Sequence, residues 1–253
     1  MKLGMDERLE FLVTCEHGGN RIPASYRDSF VGHEALLQSH RGFDFGALAM
    51  ARELAQALGA KLIFSTISRL LVDLNRSPTH PRLHAEWVRG LSDSSRQRIL
   101  IDHYLPFRAS AEAAIMHALA NGKPVIHLSS HSFTPELDGI VRAADVGLLY
   151  DPVRAGEAAL CREWCARLKS REPSLRVRRN YPYTGKSDGF AAYLRRHFAA
   201  DEYIGIELEI NQRLLLMGGK SRQQLQALII CSLAAALTQG SQRATHHSTE
   251  GRR

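Results

Sequence analysis

The feature that most constrains the fold is an alternation of short apolar runs with longer amphipathic segments. Each run has the length and composition of a buried strand, and the runs cover Phe11–Thr14, Lys61–Thr66, Val125–Leu128, Asp145–Asp151, Arg176–Arg179 and Ile204–Asn211. The amphipathic segments predict helices over Gly42–Leu58, Ser92–Asn121, Ala155–Lys169 and Lys220–Leu237. Strands that alternate with helices indicate a layered α/β domain with a parallel or mixed sheet.

The length and the apolar pattern set the domain boundaries. A chain of 253 residues can bury the core of one large α/β domain. We predict a single α/β domain over residues 1–240. Residues 241–253 contain almost no apolar side chains, which predicts a disordered basic tail.

The composition narrows the class of partner and the compartment. Hydrophobic residues make up 44% and charged residues 23% of the chain, as in soluble globular proteins. The net charge of +7 is scattered, so it favours a small anionic substrate over nucleic acid. The sequence predicts no signal peptide, and it contains no apolar run of about 18 residues. We therefore expect a cytoplasmic protein that binds no membrane.

The first polar cluster follows the first predicted strand. Glu16 and His17 come directly after Phe11–Thr14, and two glycines and Asn20 follow them. The glycines allow a sharp turn and a close approach of another group. Polar residues at the carboxyl end of a core strand are where open α/β sheets place their ligands. An ordinary turn with a locally bonded His17 is the alternative.

The same pattern recurs at other strands and at one helix. His131 follows the predicted strand Val125–Leu128, and Asp44 lies near the start of a predicted helix, where capping also explains it. The segment 68–76 carries Arg69 and Asp73, for which a buried ion pair is the competing explanation. The segment alternates polar and apolar residues, which predicts the edge or exit of a strand with Asn75 close to this pair. Arg76 lies past that strand, where an arginine is free to bind a carboxylate.

Two later stretches complete the set of candidate residues. The last predicted strand carries Glu207 and Glu209 on one face, and two carboxylates there require solvent, a partner or a metal. For Glu207 we favour an edge strand with one solvated face. Asn180 and Tyr183 belong to a structured loop and could line a pocket or form a turn.

These residues suggest the chemistry of a mononuclear zinc hydrolase. Two histidines after separate core strands, an aspartate and a late glutamate supply nitrogen and oxygen donors. Such sites use three protein ligands and leave one position for water. The metal lowers the pKa of that water while a nearby carboxylate takes its proton.

Six segments in series resemble the N-formylglutamate amidohydrolase family. They are Thr14–Pro23, Asp44, Ser68–Arg76, His131–Thr134, Asn180–Gly185 and Glu207–Asn211, and the resemblance spans about Phe11 to Leu237. It implies a three-layer α/β/α fold with a mixed, largely parallel central sheet, similar to that of zinc carboxypeptidase and aspartoacylase-type hydrolases.

The resemblance also implies roles for individual residues. His17 and His131 would be zinc ligands, and Glu209 would be the general base or would stabilise the transition state. The preferred third ligand is Asp44, with Glu16 as the alternative, because Asn20 stands where the carboxypeptidase pattern has an acidic residue. The substrate-binding set is Arg69, Asn75, Arg76, Asn180 and Tyr183.

The resulting hypothesis is an enzyme that binds one Zn²⁺ per chain and removes an N-acyl group, formyl by default, from an acidic amino acid such as N-formyl-L-glutamate. One alternative is a zinc hydrolase of another N-acylated amino acid or short peptide. The other is a metal-free protein that binds small molecules on the same fold. The oligomeric state stays open.

Overall fold

The structure, a computed structural model, describes residues 6–250, with side chains described through residue 238. Its strands are β1 Glu10–Cys15, β2 Lys61–Phe64, β3 Val125–Phe133, β4 Glu136–Leu137, β5 Ile140–Val141, β6 Val146–Leu149, β7 Val177–Arg179 and β8 Tyr203–Asn211. Six of them form the central sheet in the order β2-β1-β3-β8-β6-β7, while β4 and β5 form a separate hairpin. All neighbours in the central sheet are parallel except β6 and β8. The sheet is therefore mixed and largely parallel, as predicted.

The helices connect and cover these strands. They are α1 Glu34–Leu37, α2 Ala47–Leu58, α3 Glu86–Arg89, α4 Asp93–Ile99, α5 Leu105–Ala120, α6 Ala155–Arg171, α7 Phe190–His197, α8 Gln212–Leu215 and α9 Gly219–Glu250. A 3₁₀ helix spans Ala24–Phe30, and a π-helical segment, Leu100–Tyr104, joins α4 to α5.

Two hydrophobic cores lie on opposite faces of the sheet. On one face, alternate residues of β1 such as Val13 and Cys15 pack with α2, α6 and α9. On the other face, Leu12 packs with apolar residues of α5 and α7. This arrangement follows from the two-residue period of a strand, and it confirms the predicted three-layer α/β/α architecture.

Two predicted strand environments are wrong. His131 does not follow a strand but lies within β3, which continues to Phe133 because its serine hydroxyls find acceptors inside the protein. Glu207 does not lie on a solvated edge strand. β8 is a central strand between β3 and β6, and Glu207 is buried.

Two predicted element boundaries are also wrong. α2 begins at Ala47, not Gly42, so Asp44 lies in the loop before the helix. Residues 68–76 form turns rather than a strand, with Leu71 N donating to Ser68 O and Arg76 N donating to Asp73 O.

The predicted domain boundary and tail stay predictions. The boundary at residue 240 falls within α9, which is assigned through Glu250. The side chains after residue 238 and the whole of residues 1–5 and 251–253 lie outside the described residues. Within the described part of the chain, no helix has both the length and the apolar character needed to cross a membrane.

Candidate metal and catalytic site

The site begins as rows of polar side chains on one face of the sheet. In the registers of β1, β3 and β8, Thr14 pairs with Ser129, and Ser129 pairs with Glu207. One step further toward the carboxyl ends, His131 pairs with Glu209. Residues paired across strands point to the same face, so these polar groups lie beside one another, and all five are buried.

His17 reaches this face from the turn after β1. Gly18 N donates to Ser65 O at 3.0 Å, and a Cβ atom at Gly18 would lie 2.8 Å from that same oxygen. Glycine is therefore required for this close approach, as the sequence predicted for the turn. Asp44 N donates to His17 O at 2.9 Å, which fixes the loop before α2 against the turn.

Two histidines and one aspartate converge in the interior. His131 Nδ1 lies 2.8 Å and His17 Nδ1 lies 3.3 Å from the same atom, Asp44 Oδ2. One ligand-type atom from each of the three residues lies within 4.8 Å of the others, and each residue is less than 5% exposed. Two imidazoles and a carboxylate are donors that zinc accepts, so the residues present fit a zinc ion.

The outer nitrogens of both histidines are also bonded to protein. His17 Nε2 lies 2.7 Å from Asp73 Oδ1. His131 Nε2 lies 2.8 Å from Ser129 Oγ and 3.3 Å from Glu16 Oε2. Metal-binding histidines commonly donate their second N–H to a carboxylate or another acceptor, which orients the ring. Both rings here have that environment, with Nδ1 facing Asp44.

The electrostatics of the cluster favour positive charge. Burial lowers the pKa of His131, but the hydrogen bond to Asp44 and the charges of Glu16, Asp44 and Glu209 outweigh it and raise the pKa to about 10. Burial raises the pKa of Asp44, yet His17, His131 and Arg69 hold it well below its usual value. The pocket therefore stabilises a cation, whether a proton or a metal ion.

Glu209 is a buried carboxyl group beside this cluster. Among the described residues, its Oε2 atom has no hydrogen-bond partner. Burial raises the pKa of Glu209 to about 8; His131 opposes this shift, whereas Asp44 and Glu207 add to it. An orphan carboxyl oxygen with a pKa near neutrality has the properties of a group that accepts and returns a proton.

Comparison with known proteins assigns the chain to a family. The family model described as N-formylglutamate amidohydrolase matches residues 9–216. The chain belongs to the N-formylglutamate amidohydrolase family. The resemblance recognised in the sequence is thereby confirmed, as is the prediction of a hydrolase that acts on amide bonds.

Solved structures agree with this fold. A gene product from Agrobacterium tumefaciens is 28% identical, with a TM-score of 0.79 and 92% coverage of both chains. An N-formylglutamate amidohydrolase from Ralstonia eutropha has a TM-score of 0.65 at 19% identity and covers 95% of this chain and 97% of its own. No curated protein matches the chain by sequence.

The geometry groups Asp44, rather than the two alternatives Glu16 and Asn20, with the two histidines. Glu16 accepts hydrogen bonds from Thr14 and Ser129, both at 2.7 Å, and it lies behind the His131 ring. Asn20 donates outside the cluster, to the carbonyl of Leu37 at 3.1 Å and to the side chain of Gln38 at 3.2 Å. The ligand roles themselves stay predictions.

Arg69 lies between the cluster of His17, Asp44 and His131 and the solvent. Its guanidinium donates to Asp73 Oδ2 at 2.7 Å and to Asp44 Oδ1 at 3.3 Å, and its side chain is 26% exposed. The Arg69–Asp73 ion pair, considered from the sequence as a structural explanation, is thus present. The exposed part of Arg69 remains accessible to a substrate carboxylate.

Arg76 and Asn75 are adjacent in the chain, but their side chains differ in how many hydrogen bonds they make within the protein. Arg76 donates to the carbonyl of Asp188 at 3.3 Å and lies 3.9 Å from Asp73 Oδ2. The Oδ1 atom of Asn75 accepts a hydrogen bond from Phe190 N at 2.6 Å. The Asn75 side chain is held on both sides, since it also hydrogen-bonds to the Glu207 carboxyl group, whereas the Arg76 side chain has only these two longer contacts among the described residues.

The two predicted residues of the later loop have different environments. Asn180 Oδ1 accepts hydrogen bonds from Tyr150 N and Gly185 N, both at 3.0 Å, and so shapes the loop. Tyr183 is 45% exposed, and its hydroxyl accepts a hydrogen bond from Arg142 at 2.9 Å. Of the two, Tyr183 is the side chain that remains open to solvent.

Sequence reasoning missed two residues that support the cluster, Thr14 and Ser129, whereas it placed His127 inside the predicted strand as a residue that packs there or supports the site from a distance. Thr14 precedes Glu16 by two residues, Ser129 precedes His131 by two, and His127 precedes Ser129 by two. That two-residue period places them on the face of the strand that carries the site. The signal was present, but it becomes informative only once the strand boundaries are known.

Proposed function

We propose that the chain is a zinc-dependent amidohydrolase that removes an N-acyl group, formyl by default, from an acidic amino acid such as N-formyl-L-glutamate. The observation that carries the proposal is the convergence of His17 Nδ1, His131 Nδ1 and Asp44 Oδ2 beside a Glu209 carboxyl oxygen that has no hydrogen-bond partner within the described part of the chain. Family membership supports the amide hydrolysis. The donor set supports zinc.

His17, Asp44 and His131 would hold the ion. When bound, zinc lowers the pKa of a water molecule and polarises the amide carbonyl. Glu209 lies beside His131 across the β3–β8 pairing, where it would take the proton from water and deliver it to the leaving nitrogen. Its raised pKa suits both transfers, because a base near neutrality can also serve as the acid afterwards.

Arginines beside the cluster would orient the substrate. Arg69 is ion-paired with Asp44 and Asp73 yet partly exposed, and Arg76 lies on the same turn-rich segment. A planar guanidinium binds a carboxylate with two parallel hydrogen bonds. N-formyl-L-glutamate carries two carboxylates, so these two residues supply a chemical basis for preferring an acidic amino acid.

The test is formate release from N-formyl-L-glutamate by the zinc-loaded protein. N-formyl-L-glutamine, N-acetyl-L-glutamate and N-formyl-L-leucine form the comparison set, because they change the side-chain charge or the acyl group one at a time. We expect formylglutamate to be the preferred substrate. Chelation should abolish the reaction, and added zinc should restore it.

A matched pair of histidine variants controls this experiment. His131→Ala removes a candidate ligand, whereas His117→Ala removes an exposed histidine of α5. Only the first should lose activity. A zinc-loaded protein that releases no acid from any of the four substrates would contradict the proposed function. Preference for another member of the set would keep the zinc chemistry but replace the substrate.

A further inference from the structure

A chain of buried hydrogen bonds runs beneath the candidate metal site. Tyr203 OH lies 2.6 Å from His127 Nδ1, and His127 Nε2 lies 2.8 Å from Thr14 Oγ1. Thr14 in turn donates to Glu16 Oε1 at 2.7 Å. Each of these four residues is at most 1% exposed, and together they connect β1, β3 and β8. Such a network requires every donor to meet an acceptor.

The carboxylate at the end sets the direction of every bond in the chain. A carboxylate only accepts, so the Thr14 hydroxyl gives its proton to Glu16 and must accept from His127 Nε2–H. His127 Nδ1 is then bare and accepts the Tyr203 O–H. This requires a neutral His127, and burial lowers the pKa of His127 to about 4.

The second oxygen of Glu16 sets the direction of the hydrogen bonds that lead to His131 in the same way. Ser129 Oγ donates to Glu16 Oε2 at 2.7 Å, so its remaining lone pairs accept from His131 Nε2–H at 2.8 Å. Glu16 Oε2 itself also lies 3.3 Å from that nitrogen. The Nε2 proton is thereby held by Ser129 and Glu16, which leaves Nδ1, the atom that faces Asp44 Oδ2, as the nitrogen that would bind a metal.

We propose that Glu16 is a positioning residue that acts through Ser129 to fix the tautomer and ring orientation of His131, and that it is not itself a metal ligand. The Glu16 carboxylate is itself held in place through its other oxygen, by the hydrogen-bond chain of Thr14, His127 and Tyr203. The inference rests on the proposed zinc function. Loss of a comparable outer partner typically weakens metal binding by about 10–100-fold.

The test is the zinc affinity of the full chain, measured by competition with a chromophoric chelator. Glu16→Gln replaces an acceptor with a donor in the same volume, and we expect a loss of affinity of about 10–100-fold with the zinc stoichiometry retained. Thr14→Val and Thr14→Ser form a second pair. Valine removes the hydroxyl and should weaken binding, while serine keeps it and should restore affinity. The threonine pair decides the question if Glu16→Gln does not fold.

Neighbouring serines of β3 provide the matched control. Ser129→Ala removes the bridge between Glu16 and His131. Ser130→Ala removes an equally buried hydroxyl that donates to the Ala47 carbonyl on the other face of the strand. We expect only Ser129→Ala to lower zinc affinity. An equal effect of both would attribute the loss to general destabilisation and overturn the inference.

Three further outcomes distinguish a failure of the Glu16 positioning role from a failure of the proposed zinc function. Unchanged zinc affinity in Glu16→Gln would overturn the positioning role while leaving the zinc enzyme intact. Loss of one oxygen ligand from zinc-saturated Glu16→Gln, measured by X-ray absorption and absent in Ser129→Ala, would make Glu16 a ligand and overturn the positioning role too. If the wild-type chain binds no zinc, the proposed function itself is contradicted. The wild-type zinc titration is therefore done before the variants are compared.

Discussion

At the scale of single residues, the site depends on carboxyl groups that share one pocket but have opposite environments. Asp44 receives two imidazoles and a guanidinium, which keep its pKa low. Glu209 is buried, one of its oxygens has no hydrogen-bond partner among residues 6–238, and its pKa is raised. Two carboxyl groups whose pKa values are shifted in opposite directions can have different roles in one reaction. Asp44 is suited to bind a cation, and Glu209 is suited to move a proton.

Replacing Glu209 with glutamine should therefore remove the reaction without removing the metal. We expect kcat for N-formyl-L-glutamate to fall about 10²–10⁴-fold in Glu209→Gln, the range for loss of a general base. Zinc content should stay at the wild-type level. Glu207→Gln, which changes the neighbouring buried carboxyl group on the same strand, should cost far less in kcat. Similar losses in both variants would argue against a specific proton-transfer role.

Replacing Arg76 should change substrate preference. Arg76→Ala is expected to lower kcat/KM for N-formyl-L-glutamate by about 10–100-fold, the effect of losing a hydrogen bond to a charged group. The loss for N-formyl-L-glutamine should be smaller. Arg162→Ala, an exposed charge on α6, controls for the change in net charge. Equal losses on both substrates would assign Arg76 to the α-carboxylate or to structure.

The buried His127 makes a pH-dependent contribution to stability. Its pKa is lowered to about 4 by burial, while the unfolded chain has a value near 6.5. The unfolded state therefore binds the proton more tightly, and stability is lost as pH falls from about 6.5 toward 4. His127→Gln can accept and donate in the same places without titrating. Urea unfolding of both metal-free proteins should show wild type losing more stability across that window; parallel curves would contradict this account.

At the scale of elements, the loop before α2 positions Asp44. Gly46 has φ = +77° at the start of the helix, and a Cβ atom there would lie 3.0 Å from the Leu215 side chain. Gly59 has a similar φ of +65° at the other end of α2, and a Cβ atom there would have no neighbour within 4 Å among the described residues. The two glycines share backbone strain but not crowding.

This pair gives a test of the loop. Gly46→Ala and Gly59→Ala should each cost about 1–2 kcal/mol in the free energy of unfolding, because alanine is strained at positive φ. Only Gly46→Ala should also weaken zinc binding, since displacement of the loop moves Asp44. Chemical denaturation and zinc titration measure the two effects. Equal zinc affinities in the two variants would show that Asp44 does not depend on this turn.

The elements also show what could be predicted from sequence. The apolar alternation of β8 was recognised, but its central place was not, because strand order depends on contacts with β3 and β6 that are distant in sequence. The run after Leu128 resembled a loop because it is polar. It remains a strand because Ser130 and Ser132 donate to the carbonyls of Ala47 and Phe45 in the loop and first turn of α2. Hydrogen-bond partners of this kind cannot be read from local pattern.

At the scale of the whole molecule, the fold brings together residues that the chain separates widely. His17 precedes β2, Asp44 precedes α2, and His131 lies in β3, yet all three meet at one edge of the sheet. The resemblance to a family supplied the candidate ligands, and the parallel order of β1, β3 and β8 explains their meeting. The supporting residues Thr14 and Ser129 emerged only from the three-dimensional arrangement.

The central claim is a zinc site built from His17, Asp44 and His131, and the most direct test is the metal content of the purified protein. The chain should be ended at residue 240, because His246 and His247 could bind metal independently. We predict about one zinc ion per chain, absent from a His17→Ala, His131→Ala double variant. A wild-type protein that contains no metal and takes up none when zinc is supplied would contradict the account.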